Sequence, residues 1–300
     1  MNVGPLPRAR LAEAELVLAD ACAFDRATEV ADEKLFAPGP TSAPQPFGAW
    51  DGNELIGVAA LSARWLRLVA VVPRARRRGA GSALLAACEA SARSEGMMRL
   101  SALDQPGNYL APGIDDRNDD AIRWLERRGW RRGTEVRSNV LINVRNNPKV
   151  SATRAGELVV AAAAKGYLVR RATRQERPAL VAAIAAEFGG AWPYEVERAL
   201  GHDPPAVHVA IQSDAYCAFA AHDGNNRGLG WFGPTGTWPA HRGRGLGEAL
   251  LMACLVDVAA EHSQCEVAWI GPRPFYEKVA GIASERRFVV LAKELASPVT

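Results

Sequence analysis

The sequence predicts a mixed α/β protein built from two copies of one fold, and three observations carry that expectation. At 300 residues the chain is about twice the length of a typical domain. Pro73 to Cys88 (PRARRRGAGSALLAAC) and Pro239 to Cys254 (PAHRGRGLGEALLMAC) are identical at ten of sixteen positions, with a constant offset of 166. Around each copy, short apolar strand-like runs alternate with segments of helical period. The expected domains are residues 1–150 and 165–300, with a connector that is polar from Asn146 and Ala-rich up to Gly166.

Taken in order, the first half opens on a helical segment with no evident strand ahead of it. FGAW and LIGVAAL then read as strands, and the repeated motif supplies a loop and a helix. Met98–Ala102 is a further apolar strand, DDAIRWLERRGW a helix and NVLINV a last strand. In the second half YLVRRAT starts as a strand, Arg174–Phe188 is helical, and Tyr194–Leu200 continues as a short helix after Pro193. HVAIQ and YCAFAAH are strands joined by a hairpin-like turn at Ser213-Asp214. LGWFGPTGTW leads into the second copy of the motif, followed by EVAWI, RPFYEKVAGI and FVVLA. Gly129 and Gly281 are 152 apart against the motif's 166, so the first half carries about fourteen extra residues, assigned to the loop DQPGNYLAPGIDD.

Composition narrows the function classes. A net charge of +3 from 36 basic and 33 acidic residues is too balanced to favour nucleic acid, even with RARRR at 74–78. It is compatible with a locally basic pocket for an anionic small molecule. Five scattered cysteines without metal-ligand spacing argue against a disulfide framework and a structural zinc site. The opening residues lack a signal-peptide core and no apolar run reaches membrane-spanning length, so a cytoplasmic protein is expected.

A strand, a turn carrying Arg242-Gly243-Arg244-Gly245-Leu246-Gly247 and then a helix form a physical recipe for holding phosphate. Glycines admit positive φ and let a ligand approach the backbone, and the helix amides point at the anion. The P-loop reading fails because Gly247-Glu248-Ala249 follows where GK[ST] is needed. The dinucleotide fingerprint fails because this loop follows a series of hairpins. The pattern R-x-x-G-x-G, which holds the diphosphate of coenzyme A, fits at Arg242, Gly245 and Gly247.

On PAHRGRGLGEALL and RPFYEKVAGI the chain resembles the GNAT superfamily of N-acetyltransferases, present twice in tandem. GPTGTWPAHRGRGLG and AWIGPRPFYEKVAGI resemble in particular the glucosamine/glucosaminide N-acetyltransferases. The resemblance implies the acyl-CoA N-acyltransferase fold in both halves and acetyl-CoA as donor, with no metal. It implies cofactor contacts from Gly236, Thr237 and Trp238 and from Arg242, Gly243, Arg244, Gly245, Leu246 and Gly247. Tyr276 matches the family's general acid, although it lies five residues before Gly281 where the family spacing is four. A phenol of ordinary pKa near 10 stays protonated at neutral pH and can donate to a departing thiolate.

Glu266 is the candidate general base, with His241, His208 and Glu195 as competitors. Trp192 and Glu195 are candidate acceptor contacts, an indole to stack on a sugar face and a carboxylate to attract an ammonium; ordinary helix packing is the competing reading. In the first half, Val72, Arg76, Arg77, Arg78, Gly79 and Gly81 form a possible second cofactor site. Arg77 there replaces Gly243, and Leu125 stands where Tyr276 stands, so the first half is expected to be catalytically degenerate. Its loop with Tyr109, Asp115 and Asp116 reads either as a reach toward the acceptor or as a plain surface loop. Direct attack by a small-molecule primary amine, an amino sugar first, is the expected reaction, since Cys217, Cys254 and Cys265 lie in apolar patterns without an adjacent base. A protein amine as acceptor, and a CoA-binding scaffold without turnover, are the alternatives.

Overall fold

The computed structural model describes residues 1–295 and divides the chain into two compact units. Unit 1 comprises Met1–Arg137 together with 286–295, and unit 2 is Ser138–Glu285. The units divide at 137/138 and 285/286, where the sequence reading places its domains at 1–150 and 165–300. The last strand of the sequence completes the first unit, and a strand begun in the first half completes the second.

Unit 1 contains β1 (Asn2–Pro5), α1 (Leu11–Ala21), α2 (Ala31–Phe36), β2 (Gln45–Asp51), β3 (Glu54–Ser62) and β4 (Trp65–Val71). There follow α3 (Ala80–Ser94), β5 (Arg99–Ala102), β6 (Ile114–Asp115), α4 (Asp119–Glu126) and the start of β7 (Arg131–Asn143). Unit 2 continues with α5 (Ala152–Ala163), β8 (Leu168–Arg171), α6 (Arg177–Glu187), α7 (Trp192–Ala199), β9 (Val207–Gln212) and β10 (Ala215–His222). It ends with β11 (Trp231–Thr237), α8 (Leu246–Glu261), β12 (Gln264–Val267) and α9 (Arg273–Val279), after which β13 (Ser284–Glu294) returns to unit 1.

The strand order in unit 1 is β1-β2-β3-β4-β5-β13, with β6 also on β13; in unit 2 it is β7-β12-β11-β10-β9-β8. Most pairs are antiparallel, but β4–β5 and β11–β12 are parallel, which gives each unit a mixed sheet. The first half does have a first strand: β1 pairs with β2 from Asn2↔Trp50 to Pro5↔Phe47. Its four residues are too few, and too poor in β-branched side chains, to be told from a loop in the sequence.

Local chemistry explains the turns and helix starts. Ser213 and Asp214 take φ of 49° and 62°, the left-handed pair a two-residue hairpin requires. Ser151 caps α5 by accepting the Arg154 amide at 3.1 Å, and Thr173 with Glu176 forms a capping box ahead of α6. In unit 2 one face of the sheet packs against α5, α8 and α9 through residues such as Val140, Phe232, Leu250 and Tyr276. The other face packs against α6 and α7 through Val207, Val209, Phe219 and Ala221. Helix α8 is apolar on nearly every side, as a helix clasped between sheet and α5 must be.

Candidate active site in the second unit

The site is built where β11 parts from β12. Trp231 pairs with Glu266 and Phe232 with Val267, and no further β11–β12 pair forms among the described residues. The chain after β12 turns instead to β7: the Trp269 amide donates to Asn139 Oδ1 at 2.8 Å and the Ile270 amide to the Ser138 carbonyl at 2.9 Å. On the opposite edge of β11 the register with β10 slips between His222↔Phe232 and Ala220↔Thr235, so Gly233 and Pro234 face the single residue Ala221. This bulge turns the strand away from β12 and leaves one edge of residues 233–237 without a ladder.

Below the split, β11 runs into the glycine loop and α8. Gly243 and Gly245 take φ of 73° and 88°, and Gly245 is the residue ahead of the first turn of α8. A side chain at either would sit in strained backbone, so these glycines shape a loop whose amides open outward. Arg242 does not point outward: its Nε donates to the Thr237 carbonyl at 3.1 Å. Arg76 in unit 1 makes the same bond to Val71 at 3.0 Å, at the same offset of 166. The leading arginine of each loop therefore locks the loop onto its own strand end.

The other expected contacts divide. The Trp238 amide is already bonded to the Cys217 carbonyl at 3.0 Å. Its ring packs on Phe188, with centroids 4.9 Å apart, within the apolar face that carries α6 and α7. Trp238 thus builds the wall beside the split, and its amide is not free for a ligand. A Cβ on Gly236 would meet Phe188 at 2.8 Å and Phe219 at 2.9 Å, so glycine here admits two aromatic rings against the strand. Trp192 belongs to the same cluster, 5.3 Å from Phe188, and is half-buried, not an exposed indole. Glu195 is buried on α7.

Tyr276 on α9 is buried, and its ring lies 5.1 Å from Phe275 and 6.4 Å from Phe232, the last residue of β11 before the split. Burial, with a smaller effect of nearby Cys265, pushes its phenol up to about 12. The group is held in the protonated, proton-donating form across neutral pH.

Two observations fix its counterpart in unit 1. Phe275 lies against Gly247 at 3.7 Å from the position of a Cβ, as Trp124 lies against Gly81 at 3.2 Å. The Gly281 amide bonds to the Tyr276 carbonyl at 3.1 Å, as the Trp130 amide bonds to Leu125 at 3.2 Å. Both pairings set Leu125 opposite Tyr276, with the left-handed glycine that follows each helix four residues on at Gly129 (φ 84°) and five residues on at Gly281 (φ 74°).

Glu266 lies on β12 opposite Trp231, one rung before the last pair ahead of the split, with its neighbours Cys265 and Val267 buried on the α8 side. Alternation along the strand turns Glu266 to the face that carries α6 and α7. Asn139, fully buried, donates from Nδ2 to Glu266 Oε1 at 2.6 Å while accepting from Trp269. No motif marks Asn139; only the placement of β7 against β12 brings it here. The competing histidines are committed elsewhere. His208 Nε2 is 2.7 Å from Asp257 on α8, and His241 Nδ1 is 3.1 Å from the Tyr167 hydroxyl.

Unit 1 keeps the scaffold and alters the chemistry. Among the described residues β4 pairs with β5 only at Trp65 and Leu66, and Arg67 is the extra residue of its bulge against β3. The buried Arg67 guanidinium donates to the Ala37 carbonyl at 2.6 Å and to Gln105. Arg77 adopts φ 60°, matching Gly243, so the loop retains its shape despite the larger side chain. Val72 is buried. A cavity of about 530 Å³ lies by this loop, lined by Arg76 and Arg117 and also by Asp20, Asp119 and Asp120. Arg76 also donates to the Ala21 carbonyl, and Arg117 is paired with Asp115. Asp119 in turn is paired with Arg123, so charges of both signs at this cavity are already engaged within unit 1. The extra loop is not a plain surface loop, since Gln105, Asn108, Tyr109 and Asp115 are all buried, while Asp116 is exposed. Asp115 holds Arg117 and Arg286.

The acetyltransferase (GNAT) family matches residues 18–130. No curated protein matches the sequence. Among solved structures, the chain is similar to a GCN5-related glucosamine N-acetyltransferase region in a fungal multi-domain GH3 β-N-acetylglucosaminidase. That match has a TM-score of 0.76 and 17% identity over 97% of this chain, and spans 38% of the longer protein. A tandem GNAT protein from the clavulanic acid biosynthesis pathway matches with a TM-score of 0.69 and 17% identity over 98% of both chains. A GCN5-related N-acetyltransferase from Sphaerobacter thermophilus matches with a TM-score of 0.64 and 16% identity over 98% of this chain and 95% of that one. The acetyltransferase (GNAT) family thus matches residues 18–130 of the first unit, and the fold of tandem GNAT proteins extends over both units.

Proposed function

We propose that unit 2 transfers an acetyl group from acetyl-CoA to the primary amine of a small molecule, with an amino sugar as the first acceptor class to test. The observation that carries this reading is the conjunction of the β11–β12 split, the Gly245-headed helix below it and a proton-holding tyrosine packed on Phe232. The loop fits a diphosphate: it presents helix amides, and Arg244 on the exposed side of the loop adds positive charge. When bound, acetyl-CoA supplies the activated acetyl thioester.

In this reading the unladdered edge of residues 233–237 binds the pantetheine arm and donates to the acetyl oxygen as it gains negative charge. Glu266, steadied by Asn139, takes a proton from the acceptor ammonium through water. The neutral amine then forms the new C–N bond as the C–S bond breaks, Tyr276 gives its proton to the departing sulfur, and the acylated nitrogen sheds its extra proton to water, from which the phenol is reloaded. The thiols of Cys217, Cys254 and Cys265 are buried and burial raises all three, which supports direct attack over an acetyl-cysteine intermediate. The aromatic wall of Phe188, Trp192 and Trp238 supports an acceptor with an apolar face, such as a sugar ring.

The test follows thiol release from acetyl-CoA against amino sugars, polyamines, amino acids and peptides. At least one amine is expected to accelerate release, and Gly245→Glu is expected to abolish CoA binding. Tight CoA binding with no turnover on any amine would establish a scaffold instead, and unchanged CoA affinity in Gly245→Glu would remove the loop from the site.

A further inference from the structure

Helix α5 lies outside every motif that marks the site, and its C-terminal end is turned onto the glycine loop. Lys165, two residues past the end of α5, donates from Nζ to the Arg244 carbonyl at 2.9 Å. Its ammonium lies 3.9 Å from where a Cβ on Gly245 would be, directly over the residue that heads α8. Two residues on, the buried Tyr167 meets His241 of the same loop through its hydroxyl at 3.1 Å and edge-on through its ring.

The charge at this point is unbalanced. Glu248, in the first turn of α8, is taken by Arg154 at 2.7 Å. Lys165, Arg242 and Arg244 have no carboxylate within 4.0 Å among the described residues. Three exposed cationic residues are thus carried at the N-terminal end of α8, whose dipole adds positive charge there, and an anion bound at this end would offset them. The bond to Arg244 uses one of the three Nζ protons of Lys165, leaving two to donate.

We propose that Lys165 is a phosphate ligand supplied from outside the loop motif, donating to the diphosphate of the nucleotide cofactor over the start of α8. The inference rests on the CoA reading of that loop. It assigns Lys165 to the diphosphate and not to the ribose 3′-phosphate, because the ammonium is pinned over the αL glycine that precedes the first amides of the helix.

The experiment is calorimetric titration of the full chain, as wild type, Lys165→Ala and Lys165→Arg, with CoA and with 3′-dephospho-CoA. Lys165→Ala is expected to weaken both ligands by about tenfold, a charge-assisted bond discounted for solvent exposure. The ratio of the two affinities should stay unchanged, Lys165→Arg should restore most of the loss, and the wild-type affinity should fall more steeply with salt than that of Lys165→Ala. Because Lys165 is exposed, melting temperatures of the variants should match wild type, which separates a lost contact from a lost fold. Unchanged affinity of Lys165→Ala for both ligands overturns the assignment. A loss confined to CoA overturns the diphosphate in favour of the 3′-phosphate. Wild type that binds neither ligand overturns the cofactor reading itself.

Discussion

Replacing Tyr276 with phenylalanine isolates one proton. The ring packs against Phe275 and Phe232 and is buried, and phenylalanine reproduces that packing atom for atom. No hydrogen bond to the Tyr276 hydroxyl is formed among the described residues, so its removal should change stability by no more than about 0.5 kcal/mol. The chemistry is a different matter. With the phenol pushed up to about 12, only about one molecule in ten thousand is ionised at pH 8, so the donor is fully loaded. Losing a general acid costs about 10²- to 10⁴-fold, or roughly 3–5 kcal/mol of barrier. Stopped-flow or continuous thiol detection, alongside calorimetry with CoA, should therefore find turnover down by at least about a hundredfold, CoA affinity within about twofold and an unmoved melting temperature. Wild-type turnover should have no basic limb from this group below about pH 9, because the phenol's folded pKa lies above its ordinary value. Turnover of Tyr276→Phe within about threefold of wild type would falsify the role.

Three further outcomes are expected. Asp257 is partly buried, which alone would raise its carboxyl, but bonds from His208, His222 and Arg171 hold it well below the carboxylate range. Its stabilisation is present above the unfolded value near 4 and lost as pH falls through the folded one. Burial alone would lower His222, yet its bonds to Asp223 and Asp257 raise it, so its contribution is full below about pH 6.5 and fades as pH rises through the raised value. Urea titrations across pH should thus give greatest stability near pH 4–6.5, with Asp257→Asn costing about 3 kcal/mol at pH 6; a flat profile in wild type would refute the network. Arg77→Gly should stabilise unit 1 by up to about 1 kcal/mol, since φ of 60° strains an arginine and suits glycine; a loss in thermal denaturation would contradict this. Residues 1–150 alone should fail to fold cooperatively by calorimetry, because the edge of β5 loses its pairs from Ser101↔Ala292 to Arg99↔Glu294 and the buried Phe288 and Leu291 are removed.

Much of the site was readable because it is local. Arg242, Gly245 and Gly247 lie within six residues, and their spacing alone dictates a turn and a helix start. The bulge was foreseeable only through family resemblance, yet Gly233-Pro234 in mid-strand carries a physical reason for it, since proline cannot donate to a ladder. Trp192 and Trp238 were legible as aromatics, but not as members of one cluster around Gly236, because Phe188 and Phe219 come from a helix and a strand far apart in the chain. Lys165 and Asn139 lay beyond reach. Their partners are 79 and 127 residues away, and neither sits in a pattern that a helix or strand would repeat.

The chain's own order of residues determined that there are two copies of one fold, that each has a glycine loop ahead of a helix, and that only the second retains a tyrosine. Repeats, glycines and helical period are properties of neighbours, and neighbours interact whatever the rest of the chain does. Tertiary structure decided where one unit stops and the next begins. A strand is stable only when its backbone groups find a partner, and the sequence does not say which sheet edge offers it. Here β13 finds that edge on β5 in unit 1, and β7 finds it on β12 in unit 2, bringing Asn139 from the first half of the sequence to Glu266 in the second.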